Sequence, residues 1–143
     1  MPSSQENLQN LQKIGKLKAE QPAQTEFNGL VRSAESKLRD AENMTNSPDS
    51  RFGLAYDAAH SLALAALRWH GFRSENRYIV FQALPHTLSF SEAKWRFLDN
   101  CHQKRNMVLY DGDLIEDEPL IQELIMVTKE LHAAVKALGP VRS

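Results

Sequence analysis

Apolar residues recur at intervals of three and four along most of the chain, the spacing of helices that each bury one face, while period-two alternation is almost absent. The pattern predicts an all-α fold, an up-and-down bundle of about five helices. The first is expected to start at Ser3, with Glu6 in capping-box position, and to run through Leu8, Leu11, Ile14 and Leu17 until Pro22 stops it. Thr25 is the expected cap of a second, whose Phe27, Leu30, Val31, Ala34, Leu38 and Ala41 keep one apolar face over about four turns. A third, from near Asp49 to Trp69, carries Ala at 55, 58, 59, 63, 65 and 66, small enough to let neighbours approach closely from several sides, and ends at Gly71.

Tyr78 to Phe81 has strand propensity but no partner strand, so a short helix or loop ending near Pro85 is expected. A further helix spans about Ser91 to Tyr110 and breaks at Asp111-Gly112-Asp113; the last starts near Asp117, has Pro119 in its first turn, and stops at Gly139-Pro140. No repeat or second domain is visible. The chain reads as one domain over 1–143, with residues 1–22 at the periphery and 25–138 forming the bundle core.

Composition narrows the function classes. At 143 residues one core suffices, and 42% hydrophobic with 24% charged residues is ordinary for a globular protein. The formal net charge of -1 gives no bulk attraction to polyanions, so any RNA would need a local patch. Cys101 is the sole cysteine, which rules out an internal disulfide and a cysteine-built zinc site, and the five histidines lack HExxH-like spacing; no metal or cofactor is expected. The polar N-terminus has no signal-peptide pattern and no apolar run is long enough to span a bilayer, so a cytoplasmic protein off the membrane is expected.

One position resists the simple pattern. On the helix from Ser91 to Tyr110, Ala93, Phe97, Leu98, Cys101, Val108 and Leu109 share a broad arc, and Arg105 falls inside it. On its shoulder lie His102, Asn106 and Tyr110, each four residues from the last, with Asp99 nearby in angle. Two readings stand side by side. Arg105 either snorkels or pairs with an acid such as Asp57 across the bundle, or it is a desolvated guanidinium beside a cleft, where its planar fork can hold a phosphate.

"KRNMVLYDG" at residues 104–112, preceded by "AYDAAHSLALAALRWHGFR" at residues 55–73, resembles HEPN domains, small helical bundles found beside minimal nucleotidyltransferases and in toxin-antitoxin and antiphage systems. The resemblance spans about Thr25 to Leu138. The family motif is Arg, often followed by Asn, then His after four to six positions; Arg105 and Asn106 match, and Tyr110 stands where the His would be. The resemblance implies a homodimeric, metal-independent RNase, its Arg-His pairs facing each other across the scissile phosphate, or a non-catalytic module that docks a nucleotidyltransferase, an antitoxin or another partner.

The chemistry asks for a base at the ribose 2′-OH, a cation for the phosphorane and an acid for the leaving oxygen. Arg105 suits the cation. Tyrosine, with a pKa near 10, is a poor base at neutral pH, which leaves His102 as the nearest imidazole. The candidate catalytic set is therefore Arg105, Asn106, Tyr110 and His102.

Three other features complete the reading. His60 on the Ala-rich helix is expected to be a packed, hydrogen-bonded histidine, and Asp57 an acid in need of a partner such as Arg105, both supporting the site structurally. Arg68, Arg73 and Arg77, interleaved with Trp69, Phe72 and Tyr78, are a weak RNA-binding candidate or simply a basic helix end. Asp111 to Glu118 is read as an acidic cap of the last helix, because it lacks calcium-loop spacing. A third functional class remains, a structural adaptor in which Arg105 only closes a salt bridge to Asp57.

Overall fold

The computed structural model describes residues 3–142, with the side chain of residue 109 outside the description. Helix α1 (Ser4–Lys13) starts as expected, Ser3 Oγ accepting from the Glu6 amide at 3.1 Å. It stops early. Gly15 takes φ 81°, open to glycine without strain, and the chain leaves the helix axis, so Ile14 is exposed and Leu17 is buried from an extended segment. That segment continues into β1 (Lys18–Ala19), which pairs antiparallel with β2 (Phe72–Arg73) in the register Lys18↔Arg73, Ala19↔Phe72. Helix α1 buries Leu8 completely in the main core.

Helix α2 (Gln24–Glu42) begins after Ala23, which offers no capping side chain; Thr25 lies inside the first turn instead. Its buried stripe is Phe27, Val31, Ala34, Leu38 and Ala41. Helix α3 (Pro48–Trp69) is capped by Ser47, whose Oγ accepts from the Ser50 amide at 3.3 Å, and it ends where Gly71 adopts φ 89°. Its alanines at 55, 58, 59, 63, 65 and 66 are all buried, so α3 runs through the middle of the bundle with neighbours on several sides. Helix α7 (Glu118–Lys136), capped by Asp117 with Pro119 in its first turn, lays Ile121, Leu124, Thr128, Leu131 and Val135 along it, and α2 packs on both.

Two short helices, α4 (Arg77–Gln82) and α5 (Leu84–Thr87), and the longer α6 (Glu92–Asp111) close the other side. The protein is thus an all-α helical bundle, with seven helices and one two-stranded ribbon among the described residues. No described helix is long and apolar enough to cross a membrane.

The packing of α6 differs from the expected arc. Trp95, Leu98 and Cys101 are buried, Ala93 is exposed, Val108 is half-buried, and Leu109 lies outside the described side chains. The fully buried positions all lie in the first half of the helix; the second half, half-buried at His102, Arg105, Asn106 and Val108, ends at Gly112, whose left-handed φ of 74° lets its amide reach back to the Val108 carbonyl.

Two buried arginines tie elements together. Arg51 Nε donates to the Ala41 carbonyl at 2.8 Å while Nη1 reaches both Glu118 carboxylate oxygens, at 2.9 and 2.8 Å, joining the end of α2 to the starts of α3 and α7. Arg68 donates to Glu26 Oε1 at 2.6 Å and to the carbonyls of Glu20, Gln21 and Phe72, clamping the ribbon to α3.

Candidate functional site

The two long helices α3 and α6 meet in opposite directions: the Arg105 guanidinium lies against Gly53, and one turn further along α3 Tyr56 meets His102. His102 is half-buried, with Nδ1 at 2.8 Å from the Tyr56 hydroxyl and the rings near parallel at 19°. Its Nε2 faces the Asn106 amide nitrogen at 3.4 Å, the i+4 neighbour expected from the helical spacing. In the tautomer that matches both contacts, Nδ1–H donates to Tyr56 and the Nε2 lone pair accepts from Asn106. That is the base form of an imidazole, held at one nitrogen and weakly occupied at the other.

The surrounding charge favours the neutral ring. Burial, and then the positive charge of Arg77, pull the His102 pKa below its ordinary value of 6.5, against a smaller opposing pull from Asp99. Arg77 lies 5.4 Å from the centre of the Tyr56 ring. Tyr56 is fully buried, which pushes its own pKa up and keeps the hydroxyl protonated. His60, four residues on from Tyr56, presents its ring edge-on to Phe81, and burial drives its pKa down to about 4. It has no hydrogen-bond partner among the described residues, so the expected packed histidine is packed without the expected bond.

Arg105 lines a cleft of about 310 Å³ with Asp49, Ser50, Gly53, Leu54 and Asp57. It is half-buried, and among the described residues it has no ion pair. The salt bridge to Asp57 that one reading required is therefore not made, although Asp57 shares the cleft. Asp57 is half-exposed and can be solvated, which is why it needs no buried partner. Asp49 accepts from the Ile115 amide at 3.0 Å and fixes the loop that follows α6.

The fourth expected member stands apart. Tyr110 continues the stripe of His102 and Asn106, but near the end of α6 it is 85% exposed and has no hydrogen bond among the described residues. Met107, 51% exposed, and Leu114, 63% exposed, lie near it in sequence, so this end of α6 and its following loop present apolar surface.

The basic run after α3 divides. Arg68 is buried and spent on Glu26 and three carbonyls, and Arg73 reaches Glu20 at 2.8 Å and Glu26 at 2.5 Å; neither guanidinium is free for RNA. Hydrogen bonds from Arg73 are the leading cause that holds the Glu20 and Glu26 carboxyls below the usual carboxylate range. Only Arg77 stays exposed, on the Tyr56 ring. Cys101 is no nucleophile: burial raises its thiol to about 12. No group of three His, Cys, Asp or Glu among the described residues is placed to hold a metal.

Tyr56 was not singled out by the sequence as a site residue, although a tyrosine on a helix buried all round needs a hydroxyl partner, and that was the available signal. The depressed histidines also set an acid sensitivity. Because His60 is neutral in the folded chain down to about 4 but protonates near 6.5 when unfolded, the unfolded state binds the extra proton between those values. Stability should be flat above about pH 7, fall as pH drops through 6.5, and lose about 3 kcal/mol by pH 4 through this residue. Thermal melts across that range should show His60→Gln flattening the decline; an unchanged slope would place the proton uptake elsewhere. No protein-family model, curated protein or solved structure matches the chain.

Proposed function

We propose that the chain is a HEPN-like, RNA-directed toxin or defence module, a metal-independent endoribonuclease that works as a homodimer. What supports this most is the pairing, one helical turn apart, of an Arg105 without an ion pair among the described residues and a His102 whose ring is kept neutral at pH 7. A cation and a base on one face are the minimum for cleavage by the ribose 2′-OH.

In this reading His102 Nε2 takes the 2′-OH proton, displacing its 3.4 Å contact with Asn106. The 2′ oxygen bonds to phosphorus, the phosphorus–O5′ bond breaks, and the 5′ oxygen leaves with a proton taken from water. Arg105 holds the non-bridging oxygens as their charge grows. Products are a 2′,3′-cyclic phosphate and a 5′-hydroxyl. The exposed Met107, Tyr110 and Leu114 form part of the surface that pairs with the second copy, and Tyr110 contacts RNA or phosphate across it as a hydrogen-bond donor.

The same apolar face supports a second reading, a non-catalytic module that docks a nucleotidyltransferase, an antitoxin or another protein there. One set of measurements separates the two. Purified protein at micromolar concentration should scatter light as about twice its 16.2 kDa chain mass and cleave unstructured RNA in EDTA. Activity should rise with pH through a limb below 6.5 that His102→Ala removes and Tyr110→Phe leaves in place. A monomer inert on RNA would leave the docking reading.

A further inference from the structure

We propose that Gly53 is a positioning residue for Arg105, its missing side chain being the floor on which the guanidinium rests. The cue is a glycine in the interior of α3 where the helix elsewhere meets close approach with alanine, at 55, 58, 59, 63, 65 and 66. Alanine is the best helix former and glycine among the poorest, so a position that needs only smallness would take alanine. At 53 smallness is not enough. A Cβ built there would lie 3.1 Å from Arg105 Cζ, 3.2 Å from Nη1 and 3.3 Å from Nη2, inside normal contact distance for all three at once.

The approach is therefore that of a flat guanidinium laid on bare helix backbone, closer than an alanine Cβ leaves room for unless the guanidinium shifts. Gly29 in α2 supplies the contrast, because a Cβ there meets nothing within 4 Å and its glycine has no such guest. On either side of Gly53, four residues away along the same helix face, Asp49 and Asp57 line the cleft, acids that draw the cation down without forming an ion pair with it. The seat thus fixes where the fork points while leaving its N–H groups uncommitted to carboxylates.

Functionally this rests on Arg105 acting as the phosphate cation, but the seat itself is testable without RNA. Because the crowding atoms are the far end of a flexible side chain, Gly53→Ala should fold, displacing Arg105 and not the backbone. Its Tm should stay level or rise by up to about 3 °C, as helix propensity improves, and Gly29→Ala should rise by a similar amount. The Arg105 Nε–Hε resonance, identified by its loss in Arg105→Lys, should shift in Gly53→Ala and stay put in Gly29→Ala. RNA cleavage should drop about tenfold or more in Gly53→Ala alone, mainly in kcat, because a misplaced cation loses the transition state and not the bound RNA.

If Gly53→Ala fails to fold, the double variant Gly53→Ala/Arg105→Ala decides: recovery of folding supports the seat, and continued failure overturns it. An unmoved resonance, or the same change in both alanine variants, also overturns it. If the resonance moves as expected but the parent protein does not cut RNA, the seat stands and the ribonuclease reading falls.

Discussion

Arg105→Ala should abolish growth inhibition or RNA cleavage, by about 10² to 10³ in rate, while leaving the melting temperature within a few degrees of the parent. The two halves of that result have separate causes. Among the described residues the guanidinium is the only cation lining the cleft it shares with Asp49 and Asp57, so no other side chain there can take its proposed place at a phosphorane. Yet it is half-buried and without an ion pair among the described residues, so its loss strands no buried charge, and both acids reach water. A structural arginine would behave in the opposite way, costing several kcal/mol and leaving no RNA phenotype to lose. Arg105→Lys sharpens the test, because it keeps the charge and removes the planar fork; a loss nearly as large as with alanine would mark bidentate contact. Full activity in Arg105→Ala would end the proposed assignment.

Helix α2 was legible because it presents one face to the core over many turns: its stripe appears in the structure nearly residue for residue. The ribbon was not, because two residues per strand carry no period to read. The end of α1 was misplaced by a coincidence of spacing. Leu17 continues the three-residue spacing of Leu8, Leu11 and Ile14, but it reaches the core after Gly15 has turned the chain, by a route the helical period does not describe.

The arginine inside the apolar arc of α6 has a related explanation. A helical wheel assumes the same burial at both ends, whereas the fully buried positions of α6 end at Cys101; Arg105 lies where cover gives way to the cleft beside α3. His102 and Asn106 could be placed together because i,i+4 spacing alone brings them within reach. Tyr56 and Gly53 could not be placed against them, since their contacts with α6 span 46 and 52 positions and depend on how two helices cross. The same limit hid the partners of the basic run. Arg68 and Arg73 read locally as a cationic, aromatic-flanked patch, and the carboxylates that neutralise them come from before and within α2.

Those carboxylates lead to the largest expected effect on stability. Arg68→Ala should lower stability by about 3 kcal/mol, roughly 10 °C in Tm, because the buried guanidinium joins Glu26 to the carbonyls of Glu20, Gln21 and Phe72, and its loss leaves those acceptors unpaired. Water can reach part of the site, since Glu26 is 34% exposed against 2% for Arg68, which keeps the figure at the low end for a broken buried pair. Arg73→Ala, removing a more exposed partner of the same two acids, should cost less. The acid response carries the signature of the network: Glu26 has its pKa held below 4.5, so the stability it contributes is present above that value and is lost as pH falls through the folded value. Melts of Arg68→Ala and the parent should therefore draw closer in the acid range without meeting, because the three carbonyl bonds do not titrate and Arg73 leads the depression of the Glu26 pKa, while at pH 7 they stand far apart. If Arg68→Ala instead melts with the parent at pH 7 and loses RNA binding, the guanidinium is free in solution to meet phosphate, and the basic run is a nucleic-acid contact after all.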